Sequence, residues 1–171
     1  YATSKYLGEE LCKMYKKSFN LDVEICRFYN VFGPHEIIKG DWAAVIGVWR
    51  NQVNKNENIT IVGDGKQRRD FTHVDDIVDG LYKIGLSNTS LKDAWELGTG
   101  VNYSINEVYQ MFKNKFHVEC IYIPNQHGNY RETLRKNNKA LDLLDWKPQD
   151  RLLYYINKLE KDEDKLCNNS L

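Results

Sequence analysis

The sequence predicts an α/β fold, and three observations predict it. Short runs rich in β-branched, aromatic and other apolar residues occur at Val23 to Phe28, Ile59 to Val62, Trp95 to Leu97 and Val118 to Ile123. Between them lie stretches whose apolar residues recur at helical spacing. Turn formers stand at the joints, at Gly33-Pro34, Gly63-Asp64-Gly65, Gly98-Thr99-Gly100 and Pro124. A chain of 171 residues is long enough for one domain or two small lobes to bury a core.

Composition narrows the function classes. Lysine plus arginine total 24 and aspartate plus glutamate total 24, so no overall field draws the protein toward nucleic acid or an anionic membrane, and any anion site must be local. No run approaches the roughly eighteen apolar residues of a membrane span, and the start has no signal-peptide pattern. Cys12, Cys26, Cys120 and Cys167 are far apart, with no pair at metal-ligand spacing. No metal site is expected, and reduced thiols in the cytoplasm are.

The elements follow in order. Residues 1 to 19 read as a helix, with Leu7, Leu11, Met14 or Tyr15, and Ser18 at helical spacing and lysines on the remaining face. Tyr1 and Lys5, four apart, share one face about 6 Å apart along the axis, where an ammonium favours ionisation of a phenol. The strand from Val23 to Phe28 runs into a turn over Tyr29 to Pro34. Trp42, Val45, Ile46, Trp49 and Val53 give a helix with a core-facing stripe, and Asn51 to Asn58 a polar loop.

The most informative stretch runs from Gly63 to Asp76. Two glycines bracketing Asp64 suit backbone positions that other residues resist, so the strand Ile59 to Val62 turns sharply there. Gln67, Arg69 and Phe71 then alternate with Arg68, Asp70 and Thr72 on a second strand. Asp75 is placed to cap the helix that follows through Ile77, Leu81 and Ile84. An arginine held on a strand beside a glycine turn suits an anionic ligand, because its planar fork offers paired hydrogen bonds to phosphate. The bland alternative is an Arg69-Asp70 surface pair, worth little.

Ser87 to Ser90 is linker. After Trp95 to Leu97, Ser104-Ile105-Asn106-Glu107 forms a capping box opening a helix with Val108, Met111 and Phe112. Gly98-Thr99-Gly100 is not a dinucleotide fingerprint, because Tyr103 replaces the third glycine and no strand with an acidic residue follows at the right distance. Val118 to Ile123 is a strand ended by Pro124, and Asn125 to Tyr130 a loop over the ligand. Leu152, Ile156 and Leu159 lie on a last amphipathic helix. Lys158 to Lys165 alternates charges as a solvated, fraying end.

Gly63-Asp64-Gly65, Arg69-Asp70-Phe71 and Val74-Asp75-Asp76 together resemble a stretch of the nucleotide-sugar epimerases and dehydratases, in the extended short-chain dehydrogenase/reductase family. Tyr1 to Lys5 with Ser4, Glu9-Glu10 and Leu11 is similar to that family's active-site helix, and Arg27 to Pro34 to its Arg-Phe-x-Asn-Val-x-Gly-Pro segment. The resemblance implies a Rossmann-type protein with a small substrate-binding lobe. Residues 1–34 and 92–115 would be a remnant of the Rossmann part, and 35–91 and 116–171 mainly the substrate lobe.

The resemblance also implies roles. Tyr1 would be the acid/base, Lys5 its partner, and Tyr1, Lys5 and Phe28 would line NAD at the nicotinamide. Asn30 and Arg69 would contact the phosphates of a nucleotide sugar, Thr60 and Val62 would pass its base, and Val45 and Gln126 would complete the substrate site. Where the family has Arg-Pro-Gly-Asp, alignment on Gly128 gives Gln126, His127 and Asn129, so one of two phosphate arginines is replaced. Losing one charge-assisted hydrogen bond costs roughly 1.5 to 3 kcal/mol, for which Arg131 could substitute. The four histidines His35, His73, His117 and His127 find no catalytic partner.

The resemblance covers only the second half of a typical relative, and the chain begins with Tyr1 rather than methionine. The expectation is an NAD-dependent UDP-sugar 4-epimerase in its full-length form, homodimeric through the first helix. The glycine-rich loop is absent from this stretch, so the chain alone is expected neither to bind NAD nor to carry out redox chemistry. The alternative is a shortened non-catalytic module that binds nucleotide sugar or serves in assembly.

Overall fold

A computed structural model describes residues 1–161, and the expected charged end from Asp162 to Lys165, with Cys167, lies outside the described residues. The helix α1 spans Ala2–Phe19 and buries none of its residues. Two short strands follow, β1 (Cys26–Phe28) and β2 (Asn30–Phe32), then α2 (Val45–Asn54), β3 (Ile59–Val62), β4 (Arg68–His73) and α3 (Val74–Leu86). The remainder is β5 (Trp95–Leu97), β6 (Asn102–Ser104), α4 (Ile105–Phe116), β7 (Cys120–Ile123), α5 (Lys139–Leu144) and α6 (Leu152–Lys158).

The strands form three small sheets. β1 pairs parallel with β5, β3 parallel with β7, and β4 sits between parallel β2 and antiparallel β6. Parallel pairs need crossovers, which α2, α3 and α4 help to supply. β4 is the hinge of the arrangement, since Asn30 is registered on Phe71 and Tyr103 on Arg69.

Two cores result. The larger gathers Ile46, Trp49 and Val53 of α2, Ile59 and Ile61 of β3, Phe71 of β4 and Val108 and Phe112 of α4 against Leu152 and Ile156 of α6. The smaller packs Ile77 and Ile84 of α3 on Trp95, Leu97, Ala140 and Trp146. Alternation along β3 buries Ile59 and Ile61 and leaves Thr60 and Val62 half-buried on the opposite face. That period places those two residues in the site.

Several expectations need correction. Trp42 is not helical: Ala43 N–H donates to the Gly40 carbonyl across a turn, α2 starts at Val45, and the Trp42 indole is 78% exposed. The cap of α3 is His73, whose Nδ1 accepts from the Asp75 N–H at 3.2 Å, and Asp75 is the donor. Val23 to Ile25 precede β1 without joining it, and Val118 and Glu119 stand before β7. Tyr29 to Pro34 is not all turn, because Asn30–Phe32 finds a partner in β4. β6 was not anticipated either. The capping box at Ser104 forms in full, with Glu107 N–H donating to Ser104 Oγ at 3.1 Å and Ser104 N–H to Glu107 Oε2 at 2.6 Å.

Candidate functional site

The Gly63-Asp64-Gly65 turn adopts the backbone the sequence requires. Both glycines have φ +67°, and a Cβ on Gly65 would lie 1.9 Å from Asn106 Oδ1. The turn carries the chain from β3 into β4 and so aligns the exposed faces of Thr60, Val62, Gln67 and Arg69 on one cavity of about 370 Å³. Asn30 at the start of β2, Ala44 and Val45 at the start of α2, Ile105, and Gln126 to Asn129 close it. The six residues expected at the substrate, Asn30, Val45, Thr60, Val62, Arg69 and Gln126, therefore all line one cavity.

Among the described residues Arg69 is the cavity's only arginine or lysine. Its Nη2 donates to Asn129 Oδ1 at 2.6 Å and its Nη1 to the Arg68 carbonyl at 2.8 Å, both neutral acceptors. Arg27, Arg50, Arg68, Arg131 and Arg151 each pair with a carboxylate, whereas among the described residues none pairs with Arg69 or with Arg135, which lies outside the cavity and is bound by neutral acceptors alone. Burial pulls its pKa down from the ordinary value with no anion to offset it. A half-buried cation without a counterion, in a cavity that no acid among the described residues lines, suits an anionic ligand. The surface Arg69-Asp70 pair does not form, because Asp70 is fully buried and turned the other way.

The neighbouring polar groups are held rather than loose. Thr60 exchanges hydrogen bonds with Gln52, from its backbone N–H at 3.1 Å and to its hydroxyl at 2.9 Å. Gln67 donates to the Val62 carbonyl at 2.8 Å, and Asn30 Oδ1 accepts from the Thr133 hydroxyl at 3.3 Å. Arg131 does not line the cavity, and its guanidinium pairs with the Asp64 carboxylate at 2.9 Å on the surface. Gln67, His127 and Asn129 were not assigned to the site from sequence. Gln67 was legible, since it lies two residues from Arg69 and shares its face.

Tyr1, Lys5 and Phe28 lie outside the cavity lining. Tyr1 is 82% exposed, and Lys5 Nζ sits 5.2 Å from its ring centroid. Phe28, half exposed at the end of β1, is two residues from Asn30. Together they offer aromatic and cationic groups but no cradle for a diphosphate. Two Gly-x-Gly turns follow strands: after β5 the Thr99 and Gly100 N–H groups both donate to the Asp70 carboxylate, at 2.9 and 3.0 Å, and after β3 the Gly63 N–H donates to the Ile123 carbonyl at 2.9 Å. The described residues therefore do not fit the phosphates of a dinucleotide.

The profile of the NAD dependent epimerase/dehydratase family matches residues 1–98. The chain belongs to that family. A putative UDP-glucose 4-epimerase of Methanocaldococcus jannaschii is 35% identical over 153 residues, 87% of this chain and 48% of the relative. A GDP-mannose 3,5-epimerase of Arabidopsis thaliana is 31% identical over 89% of this chain and 40% of its own length. The UDP-glucose 4-epimerase of Thermotoga maritima, solved with UDP-glucose, superposes with TM-score 0.83 at 25% identity over 92% of this chain and 50% of that one. A UDP-glucuronic acid 4-epimerase from Bacillus cereus, in complex with UDP-glucuronic acid and NAD, gives TM-score 0.78 at 26% identity over 87% and 47%. The chain thus spans about half the length of the relatives it matches. NAD is the cofactor of the family, and the α/β fold is that of its epimerases and dehydratases. Among the described residues no helix is long and apolar enough to cross a membrane.

Proposed function

We propose that this chain is the nucleotide-sugar-binding half of an NAD-dependent UDP-sugar 4-epimerase. The observation that carries the reading is the unpaired Arg69 guanidinium in a cavity without a carboxylate. The diphosphate lies against Arg69 and Asn30, with Gln126 donating a neutral hydrogen bond in place of a second charge. The base runs along the Thr60 and Val62 face, across from Val45.

Tyr1 handles the proton in this reading. Its phenolate oxygen, stabilised by the Lys5 ammonium, would take the proton of a sugar hydroxyl and become the neutral phenol. In the whole enzyme the family's NAD would accept the hydride. This chain alone is expected not to bind NAD at micromolar concentration, which a calorimetric titration checks. Self-association is expected through α1, whose Tyr6, Leu7, Leu11, Tyr15 and Phe19 are exposed. Sedimentation showing only monomer at high micromolar concentration would refute that part. The test of the site itself is titration of UDP-glucose into wild type and Arg69→Ala.

A further inference from the structure

A guanidinium has about five N–H donors, and the protein engages Arg69 through two contacts. One goes to the Arg68 carbonyl, which also accepts from the Thr133 N–H at 3.0 Å, and the other to Asn129 Oδ1 at 2.6 Å. Among the described residues Asn129 is thus the one side chain that holds the guanidinium. It arrives from the loop after β7, far from β4 in sequence.

Asn129 is itself fixed at two points. Its backbone N–H closes a turn onto the Gln126 carbonyl at 3.2 Å, with Gly128 at φ +80°, and its Nδ2 donates to Asn125 Oδ1 at 3.1 Å. Asn125 in turn lies over the glycine turn, where a Cβ on Gly63 would come to 3.2 Å from Asn125 Oδ1. A side-chain amide has an accepting oxygen and a donating nitrogen. Giving the nitrogen to Asn125 leaves the oxygen for Arg69, so the loop presents an acceptor of fixed direction.

The charge of that acceptor matters as much as its direction. A carboxylate in the same place would form an ion pair and neutralise the cation of the cavity. The flanking arginines show that outcome: Arg68 faces Glu107 at 3.0 Å, Arg131 faces Asp64 at 2.9 Å, and neither lines the cavity. A neutral amide instead orients the guanidinium and leaves its charge and its remaining N–H groups for a ligand.

We propose that Asn129 is the positioning residue for Arg69, and that its neutrality sets the affinity of the cavity for the diphosphate of a nucleotide. The proposal rests on the nucleotide-sugar reading and deepens it. Asn129 acts through Arg69 and not through the base or the pentose.

The test titrates UDP and uridine into the 171-residue chain by calorimetry and NMR. Uridine carries the same base and ribose without phosphates, so the ratio of the two affinities reads the anion contacts alone. Asn129→Asp keeps an acceptor for Arg69 and should melt as wild type does, yet its UDP affinity should fall about tenfold with uridine unchanged. Asn129→Ala removes the orientation but keeps the charge, and should show a smaller loss, again for UDP alone. Adding Gln126→Arg to Asn129→Asp puts a second cation on the same wall and should recover most of the UDP affinity. Unchanged UDP affinity in Asn129→Asp overturns the proposal, as does a loss shared equally by uridine, which a merely structural role would give, or a double variant no better than Asn129→Asp. A wild-type chain that binds UDP no better than uridine overturns the nucleotide-sugar reading itself, and the role of Asn129 with it.

Discussion

The Asp70 carboxylate grips Thr99 twice: its Oδ1 accepts from the Thr99 backbone N–H at 2.9 Å and from the Thr99 hydroxyl at 2.8 Å. Its Oδ2 accepts from the Gly100 and Arg135 N–H groups at 3.0 and 3.1 Å. One buried side chain thereby ties β4 to the turn after β5 and to the segment entering α5. It also fixes the strand from which Arg69 projects on the opposite face. The amides that might have bound an anion are used to hold the scaffold of the anion site.

Asp70→Asn should therefore destabilise the fold strongly. An amide offers one acceptor oxygen where the carboxylate offers two, so some of these donors lose their partner in the interior. A loss of about 3 kcal/mol is expected, read as a drop in the midpoint of urea unfolding with little change in slope. A variant as stable as wild type would mean that the network is not needed.

Glu24 sets an acid limit. Burial by itself raises its pKa, but hydrogen bonds from Lys16, Ser90, the Leu91 N–H and the Trp95 indole outweigh that and settle it at about 2. A carboxyl with a depressed folded-state pKa contributes stability above its unfolded value, and that contribution is lost as pH falls toward the folded value. The loss should thus develop between about pH 5 and pH 2. It should appear as a falling melting temperature with undocking of α1, because Lys16 holds that helix to Glu24. Glu24→Gln should flatten this part of the pH profile, and an equally steep profile in the variant would argue against it.

Much of the site was legible because the decisive signals are local. Glycines around Asp64 require a turn, and alternation after it sets Arg69 on one face of a strand, whereas Thr60 and Val62 were named through the resemblance to the family. The capping box at Ser104 is also written within four residues. The rest depended on contacts distant in sequence. Nothing near Trp42 reveals that the Gly40 turn ends before α2 begins, so an apolar residue at helical spacing was placed in the core. Asn129 became a partner of Arg69 only when the loop after β7 folded back over β4, 60 residues away. His73 as a cap was missed because imidazole caps helices less often than the carboxylate two residues on.

The central claim is that Arg69 binds the diphosphate of a nucleotide sugar, and calorimetric titration of UDP-glucose into wild type, Arg69→Lys and Arg69→Ala tests it most directly. Lysine retains charge but loses the planar fork, so Arg69→Lys should weaken binding measurably. Arg69→Ala should cost roughly 1.5 to 3 kcal/mol, tenfold or more in affinity. Asn30→Ala should do less, since it removes a neutral contact. Binding that is unchanged within error in Arg69→Ala, in a protein that melts as wild type does, would contradict the account and leave the β4 stretch as scaffold.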